Sequence, residues 1–165
     1  MRNLNYVDAT LHGIHVPHMA SAIISSADIG TGTPANPAIH PPGWGGGAHP
    51  HHHHRGHLIA RQFGGDGNDQ RNLVTLTDGT NLSLHADIEG VMRDIVEANA
   101  GNEVLYEVIA YYDADEYANG AGYAYLNFPM PSSFQVYIRN IHDNAILYEH
   151  RFPNGVLANH NAVCC

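Results

Sequence analysis

Arg55-Gly56-His57 is the first place along the chain where residue types and spacing allow chemistry. A histidine between a flexible glycine and the apolar pair Leu58-Ile59 can project its imidazole from a rigid support. The unperturbed pKa of such a ring, about 6.5, suits it to take a proton from water at neutral pH. Arg55 lies on the same side of an extended chain and can hold a phosphate oxygen through its guanidinium fork. A second group follows: Asn81, Glu89 and Arg93, spaced by eight and then four residues. At roughly 100° per residue, Glu89 falls about 80° around a helix from Asn81, and Arg93 about 40° further. An Asn carbonyl oxygen, with a Glu to hold metal-bound water, suits a hard cation such as Mg²⁺. An arginine on that face would neutralise charge building on a phosphate. Each group also has a bland reading, a structural Arg-x-His and a solvated Glu/Arg helix face.

These residues must be positioned by the elements around them. Residues 83–98 predict a helix, with Leu84, Ile88, Val91 and Ile95 as one apolar stripe. Asn81 or Ser83 can cap its start, and Gly101 lies just past its end. Asn72-Leu73-Val74-Thr75-Leu76 alternates like a strand after the turn signal GGDGND at 64–69. Residues 30–50 are rich in Gly and Pro and read as an irregular surface segment, with Trp44 as its anchor into the core. Residues 3–12 and 19–28 are each a strand or a short helix by pattern. Three later stretches read as β: 104–112, 134–139 and 145–152, with a hairpin turn at 141–144.

Composition fits one domain of 165 residues with 44% hydrophobic residues, enough for a core and too apolar for disorder. There is no lysine, against seven arginines and 14 histidines, and the net charge is −9. That charge argues against a phosphate-binding partner until its distribution is considered. Residues 94–165 carry −7, whereas 48–93 carry −1 and hold Arg55, Arg61, Arg71 and Arg93. A polyanion should therefore meet the middle of the chain. No apolar run is long enough to span a membrane. The first residues lack the apolar region of a signal peptide, which predicts a cytosolic chain or one delivered by another route. Cys164 and Cys165 are adjacent and cannot staple a core.

The run RGHLIARQFGGDGNDQRNLVTL resembles the signature of DNA/RNA non-specific endonucleases, the ββα-metal or His-Me finger nucleases. Gly30 to Trp44 resembles the GTGTxxxxxIxPPGW-type segment found ahead of that motif in bacterial polymorphic toxins. The resemblance implies an α+β fold with a ββα-metal core at 55–98, few helices and a mixed or antiparallel sheet. The strands at 103–152 would extend that core into a mixed sheet. The resemblance makes His57 the general base, Arg55 the phosphate-binding arginine and Asn72 a support of the active site. It makes Asn81 the single protein ligand of Mg²⁺, for which Mn²⁺ can substitute, Glu89 the organiser of the metal's waters and Arg93 the arginine one turn on. His54 stands where the family often has Asp. The implied substrate is DNA and also RNA, cut with little sequence preference. The implied setting is a secreted antibacterial effector delivered into a target cell, or held in the producer's cytoplasm by a cognate immunity protein.

Two other classes compete. The HPHHHH tract at 49–54 suggests a histidine-rich metal-binding protein. A catalytically inactive interaction module is the other; the joint presence of His57, Asn81, Glu89 and Arg93 disfavours it. The tract itself reads as an incidental polar loop at the rim of a nucleic-acid groove, dispensable for chemistry.

Overall fold

The two stretches whose pattern suits either strand or helix form the opening hairpin. β1 (Arg2–Leu11) and β2 (Ile14–Ser25) pair antiparallel, with Leu11 opposite Ile14. The connecting residues His12 and Gly13 both have positive φ, 49° and 81°. That turn geometry matches the right-handed twist of paired strands, and Gly13 adopts it without strain. The computed structural model describes residues 1–46, 53–77, 88–98, 103–112 and 129–154.

Five strands form the main sheet, in the order β1-β2-β5-β6-β7, where β5 is Glu103–Tyr111, β6 Ser133–Asn140 and β7 Ile146–Pro153. Every pairing in it is antiparallel. The predicted β6–β7 hairpin is present. Its turn is closed by Asn140 Oδ1, which accepts from His142 N–H (2.8 Å), and by Asp143 Oδ1, which accepts from Ala145 N–H (2.9 Å). A separate sheet of two antiparallel strands, β3 (His54–His57) and β4 (Leu73–Leu76), carries the Arg-Gly-His motif. The expectation that later strands extend this hairpin into a mixed sheet is therefore corrected. They join β1 and β2 instead, with β5 pairing β2 on one edge and β6 on the other.

One hydrophobic cluster joins the two sheets. Ala20, Ala22, Ile24, Val104, Tyr106, Val108, Phe134, Val136 and Ile138 face Leu58, Ile59, Phe63, Val74 and Leu76. Helix α1 (Glu89–Ala98) completes it through Ile88, Met92 and Val96. The predicted stripe is thus corrected. Met92 and Val96 are buried, Ile95 sits at the edge of the core and Val91 is only half-buried, so the buried face runs at i, i+4, i+8. Two aliphatic positions on adjoining rows left the rotation undecided, and burying Met92 fully settles it. Each such side chain contributes about 1.5–3 kcal/mol. Leu84 and the capping positions Asn81 and Ser83 lie outside the described residues.

Asn154 locks the two sheets together where β7 ends. Its side chain is fully buried. Its Oδ1 accepts from Thr77 N–H (3.0 Å) and Oγ1 (3.2 Å), and its Nδ2 donates to the carbonyls of Thr75 (3.0 Å) and Pro131 (2.9 Å). Removing that amide would leave main-chain polar groups of both sheets buried and unmatched. Asn154→Ala should lower unfolding free energy by about 2–3 kcal/mol. The urea midpoint checks this, and an unchanged midpoint would show that the clamp is idle.

Candidate active site

β3 presents alternate residues to opposite sides. Gly56 faces the core, where a Cβ would lie 2.1 Å from Leu76 Cδ1 and 2.3 Å from its Cγ. Only glycine lets β3 sit this close to Leu76, and that depth places Arg55 and His57 on the outer side. There they meet residues 33–39 of the Gly/Pro-rich segment, which crosses β3 as a strap.

His57 Nε2 lies 2.9 Å from the main-chain carbonyl of Thr33. A carbonyl only accepts, so Nε2 carries the proton and Nδ1 is the basic nitrogen of the neutral ring. Arg55 Nε donates to the carbonyl of Ile39 (2.5 Å) and Nη2 to that of Pro37 (2.8 Å). Its guanidinium lies 4.2 Å above the Trp44 ring. Two of the guanidinium's five N–H groups thus hold the strap, a task beyond the phosphate contact expected from sequence.

Beneath His57 is Asn72, fully buried. Its Oδ1 accepts from Ile59 N–H (2.8 Å), and its Nδ2 donates to the carbonyls of Ile59 (3.1 Å) and Asp66 (3.2 Å). Its side chain bonds only main chain, tying the Asp66 turn to Ile59. Arg93 is exposed on α1, one turn beyond Glu89, which opens the helix. Asn81 and the side chain of Glu89 lie outside the described residues. Among the described residues, no group of three or more His, Cys, Asp or Glu can hold a metal ion.

Trp44 and the histidine tract are placed differently from expectation. Trp44 does not enter the hydrophobic cluster. It is half-buried among polar partners, its ring 6.2 Å from that of His40 and 6.1 Å from that of His53, under the Arg55 guanidinium. The last residues of the tract are structural. His53 is 2% exposed, and its Nδ1 accepts from Gly45 N–H at 2.8 Å. His54 opens β3. The polar-loop reading therefore fails for these two, because His53 is buried against Gly45 and Trp44 and His54 pairs with Leu76 of β4; His51 and His52 lie outside the described residues. Sequence reasoning missed Thr33, whose contribution is a carbonyl that no residue type advertises.

A sequence profile of DNA/RNA non-specific endonucleases matches residues 17–122, a span containing the strap, β3, β4 and α1. The chain belongs to this family. Among solved structures, an extracellular endonuclease matches with a TM-score of 0.52 at 14% identity, covering 96% of this chain and 82% of that one. At that identity the likeness is one of fold. No curated protein matches the sequence. As a non-specific endonuclease the chain is a hydrolase acting on nucleic acid.

The turn beside this endonuclease's motif histidine is acidic. Asp66 is held below the usual carboxylate range by the Asn68 N–H and by the Thr33 hydroxyl. Asp69 is held below it by its bond to Arg71, 2.6 Å away at Oδ2. A carboxyl whose folded pKa lies below its unfolded value of 3.8 stabilises the fold above that pH. The contribution disappears as pH falls through the lower folded value. The difference in unfolding free energy between the parent and Asp66→Asn should thus stay constant down to about pH 4 and shrink below it, as urea titrations at stepped pH would show. His53→Ser should cost about 1–2 kcal/mol through the unmatched Gly45 N–H. It should also shift the emission of Trp44, the chain's one tryptophan. Unchanged emission and midpoint would contradict the placement of His53.

Proposed function

We propose that this non-specific endonuclease hydrolyses phosphodiester bonds of DNA and RNA with a divalent metal, and that it is the toxin domain of a secreted antibacterial effector. The observation that supports the chemistry best is the Nε2–H bond of His57 to the Thr33 carbonyl, which leaves Nδ1 as the nitrogen able to take a proton. In this reading His57 Nδ1 removes a proton from the attacking water and holds it while phosphorus is attacked in line. Arg55 and Arg93 bind the phosphate and offset its growing charge. Asn72 keeps the backbone after His57 fixed. An amide oxygen and a carboxylate fit a hard cation, so Asn81 would hold Mg²⁺ or Mn²⁺ and Glu89 would order its waters. Such an ion, when bound, would supply charge neutralisation at the leaving 3′ oxygen. Contacts to phosphate alone carry no base information, which accounts for the lack of sequence preference.

The similarity to an extracellular endonuclease favours secretion. A cognate immunity protein would be the partner that protects a producer. No described helix is long and apolar enough to cross a membrane.

A plasmid-nicking assay with Mg²⁺ and with EDTA tests the reading. Cleavage should require the metal, and full activity after exhaustive chelation would sink the metal-dependent mechanism. The two key residues should fail differently. His57→Ala should lose about 10²–10⁴-fold in rate and still bind Mn²⁺. Asn81→Ala should lose Mn²⁺ affinity and recover partly at high metal concentration. Equal Mn²⁺ affinity by calorimetry for Asn81→Ala and the parent would refute the ligand assignment.

A further inference from the structure

We propose that Thr33 and Asp66 are positioning residues that hold His57 in its Nε2–H tautomer and aim its Nδ1. The proposal rests on the reading of His57 as the base and extends it to residues with no chemistry of their own. Every polar group of Thr33 is used in this arrangement. Its carbonyl accepts from His57 Nε2 (2.9 Å), and its N–H donates to the Gly65 carbonyl (3.1 Å). Its hydroxyl donates to Asp66 Oδ1 (2.7 Å) and accepts from Gly67 N–H (2.8 Å). The carbonyl facing His57 therefore cannot swing without breaking bonds to residues 65–67.

Asp66 is the hub of that turn. Besides the Thr33 hydroxyl, its Oδ1 accepts from Asn68 N–H (2.8 Å) and Asn68 Nδ2 (3.3 Å). Its own carbonyl accepts from Asn72 Nδ2 (3.2 Å), and Asn72 grips both main-chain groups of Ile59. The bonds form a closed circuit. It runs from the His57 ring through Thr33, the Asp66 turn and Asn72 to Ile59, two residues beyond His57. The ring and the backbone that bears it are thus referenced to the same turn, which fixes both the proton's position and the ring's direction. Positioning partners of a functional histidine act through its tautomer and orientation, and their loss typically costs about 10–100-fold.

The test is ¹⁵N NMR of the histidine rings of the full chain at a pH where they are neutral, with His57 assigned by difference against His57→Gln, alongside cleavage kinetics. The parent should show His57 as the Nε2–H form. Thr33→Val and Asp66→Ala should each mix in the Nδ1–H form and lower kcat about 10–100-fold with KM little changed. Thr33→Ser, which keeps the hydroxyl, should return most of the loss. Asp66→Asn, which keeps an accepting oxygen, should lose less than Asp66→Ala. A His57 tautomer and kcat unchanged in both Thr33→Val and Asp66→Ala would overturn the proposal, as would equal loss in Thr33→Ser and Thr33→Val. Full cleavage by His57→Ala would instead overturn the general-base reading, and the ring spectra would still decide whether Thr33 and Asp66 set the tautomer.

Discussion

The main chains of residues 30–36 and 61–67 are hydrogen-bonded directly to each other, and the site depends on that contact. Gly30, Gly32, Thr33 and Asn36 donate to the carbonyls of Gln62, Arg61, Gly65 and Gly67 at 2.6–3.1 Å. A Cβ on Gly67 would lie 2.1 Å from the Pro34 carbonyl oxygen, so a larger residue would push the two segments apart. The contact stretches the strap across β3. It supplies the Thr33 carbonyl to His57 and the Pro37 and Ile39 carbonyls to Arg55. Without it, the motif residues would share a strand but have no fixed direction.

Behind the strap, the antiparallel sheet acts as a rigid backing. Its inward face, with Tyr106 buried and its hydroxyl 3.4 Å from the Leu58 carbonyl, supports the chain immediately after His57. Two buried asparagines fasten the small sheet at opposite ends, Asn72 below the motif and Asn154 where β4 runs out. Asn72 grips main chain only, and Asn154 adds the Thr77 hydroxyl to its three main-chain partners, so both fix the backbone directly. A scaffold held in this way tolerates wide sequence change, in keeping with a shared fold at 14% identity to an extracellular endonuclease.

The sequence motif was legible because Arg55, Gly56, His57 and Asn72 lie close together in the chain and form one hairpin. Strands with strict alternation, such as 103–111, were legible for the same local reason. The first hairpin was not, because its turn is His12-Gly13, and histidine at positive φ is uncommon enough to hide the signal. The buried face of α1 is not legible, because Val91 and Met92 are adjacent apolar residues and periodicity alone does not choose between them. Hydrophobicity alone puts Trp44 in the core, yet Arg55, His40 and His53 offer its ring a polar stack.

The sequence by itself determined the family, the class of reaction that family carries out, and the hairpin bearing the motif. These follow from residue types at short spacing, which local backbone geometry converts directly into structure. Only the tertiary structure decided the protonated nitrogen of His57, the task of Arg55 in holding the strap and the burial of His53. Each depends on a main-chain group contributed from eight to 24 residues away. A carbonyl or N–H is the same in every residue. Which one arrives beside a side chain is set by how the segments pack, and no residue type records it.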